Sequence, residues 1–448
     1  MKNFLNSKFS ILFGSALMCT TPFALTSCSN SNAIQFANFE SYMDPTLMEY
    51  LQDQYGVQYQ WYTVTEMIET KFHRTYDVAI PSGYELAKLQ KKGWLEKITW
   101  SNFGIPGISS STDALSLFAD PVQTAIQQMN TDLGINVLDY GVPYFAQSFT
   151  FIYKGDELTF YKNGTTETTA TPNWADIFYT ISPQNPNLDS RFEKRKGMLD
   201  DSKSLFDIAR IIQTIEDNKG EHPEKWTNQM PDDSSIGNLK DIFTSITSKS
   251  KSNWYTLNTD SGVIARNLAD HSEHGYVAAL SWSGDALYAA QGAGEFDPYT
   301  GSQMHVKKPS GVSLDEIEFL VINNKNESQP LKLQKIYQLI KDICLDAYNV
   351  QTDEELLKTV DDKYGERYKY WSMQNWDTVN YIPTLKNIYN QVTLTTSGYW
   401  DYAKDETSKQ LYTSLIKMPE VKSLFGKPLT ELQNSNTHWA WLETRGKL

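Results

Sequence analysis

The chain has 448 residues, a net charge of −14 and an aromatic content of 13%. So acidic a balance excludes a basic nucleic-acid-binding face, and the length points to two or more domains. The three cysteines, Cys19, Cys28 and Cys344, are too few for a disulfide framework, so stability must come from a packed core.

Lys2 and Lys8 flank the start of a mostly apolar stretch over residues 9–25, which is short for a bilayer span and is broken by Pro22. That is the pattern of a secretory signal. It ends in Leu25-Thr26-Ser27-Cys28, which resembles a bacterial lipobox, with small residues ahead of the cysteine. A lipoprotein signal over residues 1–27, a lipidated Cys28 and a polar tether over 28–33 are expected. Acyl chains on the thiol would hold the protein on the extracellular face of the cell membrane. No later segment carries eighteen consecutive apolar residues, so no further span is expected.

Ile34–Phe39 alternates as a strand, Asp44-Pro45 is a helix N-cap with proline in the first turn, and Gly56 closes that helix. Val57–Tyr62 reads as a second strand and Tyr76–Pro81 as a third, followed by a helix through Leu86 and Leu89 that ends at Gly93. Strand–helix alternation predicts βαβ units and a mainly parallel sheet. Phe149–Tyr153 is a buried strand, and residues 155–172 are a surface hairpin. Gly197–Asp201 is a short strand before a helix whose apolar face carries Leu205, Ile208, Ile212 and Ile215. Tyr276–Ser281 and Ile317–Ile322 are strands, and residues 328–448 read as largely helical. Cys344, in an apolar helical run, is expected to be a buried, inert thiol.

Open α/β sheets bind ligands beyond the carboxyl ends of their strands. There stand Glu40 and Tyr42, Ser82 and Tyr84, Asp201, and Trp282 with Asp285; Glu318 lies within the Ile317 strand. Acids and ring faces recur in this set, a composition suited to an organic ammonium through charge-assisted hydrogen bonds and cation–π attraction. Taken singly, Asp201 and Asp285 also suit helix caps, Trp282 a core position and Tyr84 interlobe packing. His271-Ser-Glu-His274 fits metal ligation poorly, no Gly-rich phosphate loop or Gly-x-Ser-x-Gly elbow is present, and no cofactor or catalysis is expected.

Several segments are similar, in the same order, to the polyamine-binding subunits of bacterial ABC importers. They are Asn38-Phe39-Glu40-Ser41-Tyr42, Tyr76-Asp77-Val-Ala-Ile-Pro81-Ser82-Gly83-Tyr84 and Val142-Pro143-Tyr144. Asn173-Trp174-Ala175-Asp176, Leu199-Asp200-Asp201, Trp282-Ser283-Gly284-Asp285 and Tyr381-Ile-Pro383-Thr384 continue the series. The resemblance implies the two-lobed periplasmic-binding-protein fold of type II. It implies a cleft lined by Glu40, Tyr42, Ser82, Tyr84, Asp201, Trp282 and Asp285, with spermidine or putrescine as ligand. Trp282 would stack on the aliphatic chain and Asp285 grip an ammonium, while Glu318 is a loose counterpart of the family's acid on a late strand. A membrane permease and ATPase are the implied partners, and a monomer is expected.

The sequence departs from that pattern at Glu40, at Ser204 and at Phe145-Ala-Gln-Ser, and by an aromatic tail with Trp400, Tyr402, Trp439 and Trp441. A different solute (another amine, a sugar or a metal complex) and a surface lipoprotein acting in adhesion therefore stay open, as does a degenerate hydrolase. The expected lobes are residues 34–144 plus 283–330 and residues 145–282 plus 331–448.

Overall fold

The computed structural model of the chain describes residues 33–40, 42–62, 66–193, 195–250 and 255–447. The signal segment and Cys28 lie outside the described residues. Among these residues no helix is long and apolar enough to cross a membrane.

Eleven strands form one sheet. In chain order they are β1 (Ile34–Phe39), β2 (Val57–Tyr62), β3 (Val78–Ala79), β4 (Gly141–Lys154), β5 (Lys196–Leu199), β6 (Tyr255–Asn258), β7 (Ala278–Trp282), β8 (Met304–Lys307), β9 (Val312–Ile322), β10 (Ile382–Pro383) and β11 (Lys422–Phe425). The principal order is β2-β1-β3-β9-β4-β7-β5-β6. The helices that matter below are α1 (Pro45–Tyr55), α2 (Gly83–Lys91), α3 (Asp120–Leu133), α4 (Ser202–Asp217), α5 (Ile236–Thr247), α6 (Ser261–Ala269), α7 (Ser283–Ala290), α8 (Pro330–Cys344), α9 (Trp371–Val379) and α10 (Glu431–Thr444).

Local sequence explains α1 as expected. The Asp44 side chain accepts from the Leu47 amide, Pro45 opens the first turn, and Gly56 ends the helix at φ 70°, where a side chain would be strained. In α4 one face buries Leu205, Ile208, Ile212 and Ile215, as the 3.6-residue period predicts. Burial of this face, at roughly 1.5–3 kcal/mol per large aliphatic side chain, is what fixes the helix to the sheet.

The sheet has two wings. β1 pairs in parallel with β2 and β3, and β5 pairs in parallel with β6 and β7. The centre departs from the expected parallel pattern: β4 is antiparallel to β7, β8, β9 and β10. The cause is the path of the chain. β4, 14 residues long, carries it from the first wing into the second, and β9, 11 residues long, brings it back, so neighbours running in opposite directions must pair antiparallel. The first half of β9 pairs with β11 and its last residues with β3. All eleven positions of β9 are buried, as expected for a strand covered on both faces.

The expected lobe boundaries differ from the packing in two places. α8 and α9 pack on α1, in the first wing, although residues 331–448 were assigned to the second lobe. α7 packs on α6, and β8 pairs with the second-wing half of β4, although residues 283–330 were assigned to the first lobe. Helical periodicity reports that an apolar face exists and not which wing it covers. The helix over Glu406–Leu415, on α7 and β8, and α10, on α4 and α5, take the far end of the chain back to the second wing. Cys344 is buried and unpaired, and burial pushes its thiol well up, so it is an inert core residue.

Candidate functional site

The two wings meet along a seam crossed by β4 and β9. At Glu318 the β4–β9 register slips by one residue, so that Tyr144 and Phe145 lie between the partners of Ile317 and Phe319. Such a bulge bends the strand and re-aims side chains. Glu318 is 3% exposed and its backbone bridges to Ser82. The Tyr42 hydroxyl donates to its Oε2 at 3.1 Å, and the Gln147 amide donates to its Oε1 at 2.7 Å. Burial pushes Glu318 up to about 8, with these two donors opposing.

A ring contact links Glu318 to a second acid. Tyr42 meets Tyr381 edge to face, with ring centres 5.2 Å apart, and also packs on Tyr144 and Phe145. The Tyr381 hydroxyl and the Ser261 hydroxyl both donate to Asp285 Oδ1, each at 3.1 Å. Asp285 stands in the first turn of α7, with Trp282 at the N-cap position, so it is not the cap residue. Its Oδ2 is shut off from solvent and lacks a hydrogen-bond partner of good geometry. Burial pushes Asp285 up to about 6, against the hydrogen bonds from Ser261 and Tyr381. A further acid, Asp260, also raises Asp285, and among the described residues neither Glu318 nor Asp285 forms an ion pair with a lysine or arginine.

A second group lies farther along β9. Glu316, two residues from Glu318 and so on the same strand face, accepts from the Gly426 amide at 3.0 Å, and burial pushes it up to about 8. Lys203 of α4 pairs with Asp207 at 3.4 Å and places its ammonium 4.0 Å from the centre of the Tyr84 ring. Burial pushes Asp207 up to about 6, with the Lys203 ammonium opposing.

Of the expected site residues, Tyr42 and Glu318 are joined directly, Asp285 is linked to them through Tyr381, Ser82 is held to Glu318 through the backbone, and Tyr84 faces Lys203. Trp282 packs edge to face on Phe149 at 5.2 Å and touches both hydrophobic clusters, a packing position between the wings. Asp201 is engaged as the N-cap of α4, accepting from the Lys203 and Ser204 amides and the Ser204 hydroxyl. Glu40 is exposed in the turn after β1, outside the cluster. Gln147, Tyr381, Ser261, Glu316 and Lys203 were not foreseen as site residues. The alternation Glu316-Ile317-Glu318 carried a signal for Glu316, and the family-like stretch Tyr381-Ile-Pro383-Thr384 one for Tyr381; nothing local marked Ser261 or Lys203. Surface concavities of about 420 and 590 Å³ lie elsewhere, near Tyr299 and near Tyr255, and neither is lined by a seam residue.

The model of a family described as hypothetical lipoprotein, MG045 family, matches residues 1–418. The chain belongs to the MG045 lipoprotein family. No curated protein sequence matches it significantly. Among solved structures, a lipoprotein of Treponema pallidum aligns at 14% identity and a TM-score of 0.54, over 92% of this chain and 99% of that one. A spermidine/putrescine ABC transporter substrate-binding protein of Streptococcus pneumoniae aligns at 14% and 0.52, over 93% and 99%. Thiaminase I of Bacillus thiaminolyticus aligns at 12% and 0.50, over 92% and 99%. This MG045-family chain thus has the two-lobed periplasmic-binding-protein fold, with the two wings as its lobes and β4 and β9 as the strands between them. That fold serves binding proteins and an enzyme alike, so function has to be argued from the seam.

Proposed function

We propose that this chain is the solute-capturing subunit of an ABC importer, anchored to the outer face of the membrane through Cys28. Its solute is an organic ammonium, the class that includes spermidine and putrescine. The observation that carries this reading is the pair Glu318 and Asp285, two buried carboxylates joined through Tyr42 and Tyr381, neither in an ion pair with a lysine or arginine among the described residues. Buried carboxylates without a counter-charge are costly, and an ammonium held between them against two tyrosine rings repays that cost through charge-assisted and cation–π contacts. The placement of these residues where the lobes meet suits capture by lobe closure, with both lobes then presented to a permease and its ATPase.

Calorimetric titration of the protein with spermidine and putrescine tests this, alongside Glu318→Gln and Asp285→Asn. Expected is saturable binding that each substitution weakens by about ten-fold or more, the size of one charge-assisted hydrogen bond. Absence of heat from a folded protein free of carried-over ligand would rule the amine class out. Chemical conversion of an added amine during the titration would replace capture with catalysis.

A further inference from the structure

The Lys203 ammonium sits in a site that has the makings of a receptor for an external amine. It faces the Tyr84 ring at 4.0 Å and Asp207 at 3.4 Å, and the side chains of Lys203 and Asp207 are 8% and 5% exposed. Gly426 shows how tightly the groups converge: a Cβ there would lie 2.4 Å from Glu316 Oε1, 2.5 Å from Lys203 Nζ and 2.9 Å from Tyr84 Cδ1. Glu316 is 7% exposed, and its Oε2 has no hydrogen-bond partner. The contributors come from both lobes: Tyr84 from α2, Lys203 and Asp207 from α4, Glu316 from the crossing strand β9, and Gly426 just after β11. Carboxylates and a ring face around a buried ammonium are the chemistry of amine recognition. Here the ammonium belongs to the chain.

Glu316 and Glu318 lie two residues apart on one strand, so the seam has two neighbouring carboxylate-lined positions on one face. Lys203 serves the first, and among the described residues no lysine or arginine forms an ion pair with Glu318 at the second. We propose that Lys203 is a built-in ammonium filling one of two cation positions in the seam, so that the solute contributes a single ammonium, to Glu318 and Asp285. This rests on the proposed capture of an organic ammonium and narrows it from diamines and polyamines to amines with one cationic end. A second ammonium entering beside Glu316 would meet Lys203 as a like charge in a buried setting, where such repulsion is only weakly screened.

Butylamine and putrescine, equal in carbon count and differing by one ammonium, are the probes. Titration of the full chain is expected to give affinities for the two within about three-fold of each other. Lys203→Met is expected to gain about ten-fold or more for putrescine relative to butylamine, since the vacated position then takes the second ammonium. Lys203→Arg, which keeps the charge, is expected to keep the wild-type ratio and serves if the methionine variant does not fold. A wild-type preference for putrescine of about ten-fold or more would overturn the assignment of Lys203 while leaving the capture of amines standing. Silence of all three proteins toward both amines would overturn the two readings together.

Discussion

Gln147 of β4 donates from its amide to Glu318 of β9 at 2.7 Å, tying together the two strands that run from one lobe to the other. The bond holds one oxygen of the carboxyl and leaves Tyr42 the other. A carboxyl so enclosed keeps its proton to a higher pH than it does in the unfolded chain.

Stability should therefore fall with rising pH over a window set by Glu318. Its folded value is raised by burial to about 8 from 4.5. The stability linked to that proton is fully present below 4.5 and is lost as pH climbs toward 8. Glu316 and Asp285, raised to about 8 and about 6, act in the same direction. Lys196 and Lys308, which burial pushes down to about 7, act in the opposite direction above that pH. Denaturant unfolding between about pH 5 and 6.5 is therefore the clean range. Glu318→Gln should flatten the fall there by on the order of 1 kcal/mol per pH unit. Parallel slopes for the two proteins would show that Glu318 titrates alike in both states.

Tyr381 owes its position to Gly284. A Cβ at residue 284 would lie 2.5 to 2.7 Å from three atoms of the Tyr381 ring, and the ring cannot yield without breaking its hydrogen bond to Asp285. Gly284→Ala should destabilise the fold by about 1–3 kcal/mol through overpacking and weaken amine binding as well. Tyr381→Phe should cost only about 1 kcal/mol while weakening binding comparably. Denaturation and calorimetry on both variants check this; unchanged stability in Gly284→Ala would mean that the ring has room to move.

How much of this was legible in the sequence follows from what kind of signal each residue carries. The caps of α1, the apolar face of α4 and the strands Ile34–Phe39 and Val57–Tyr62 are written in local pattern and were read correctly, whereas the short strands Tyr255–Asn258, Met304–Lys307, Ile382–Pro383 and Lys422–Phe425 were not read. Tyr42 and Asp285 were singled out because they follow strands, where open sheets bind ligands, and Glu318 because it lies within the Ile317 strand and resembles the family's late acid. Lys203 carries no such mark and Tyr381 only its family-like stretch: their contacts join α4 to α2 and a late loop to α7, across more than a hundred and nearly a hundred residues of chain. Asp201 reads two ways because an acid before a helix satisfies a cap and a ligand site equally well in sequence, and the structure shows the cap. Its neighbour Lys203, whose amide it caps, is the residue that reaches the seam.

Asp201 separates capping from binding. Its carboxylate accepts from the Lys203 and Ser204 amides at the start of α4. Asp201→Ala should lower unfolding free energy by about 1 kcal/mol, as a lost N-cap does. Amine affinity should remain within about two-fold of wild type, less than one lost charge-assisted contact produces. A ten-fold loss of affinity at intact stability would return Asp201 to the ligand site.

Asp77, which precedes β3, should prove a stability residue although it lies in a segment that resembles one of the polyamine-binding subunits. It is 1% exposed, accepts from the Gln35 amide at 2.8 Å, and pairs with Lys332 at 2.7 Å and Lys325 at 3.3 Å. Lys332 comes from α8, so the carboxylate fastens β1 to a helix more than two hundred residues away. Removing one partner of a buried pair leaves charge uncompensated. Asp77→Ala should then cost about 3–5 kcal/mol, at the lower end because the side chains of Lys332 and Lys325 keep 13% and 30% exposure and can recover water. Asp77→Asn, which keeps the shape and can still accept from Gln35, should cost less. Urea unfolding of the two variants decides the matter. A loss below about 1 kcal/mol in Asp77→Ala would place the pairs in the weak class of surface ion pairs and leave the first lobe held by its apolar core alone.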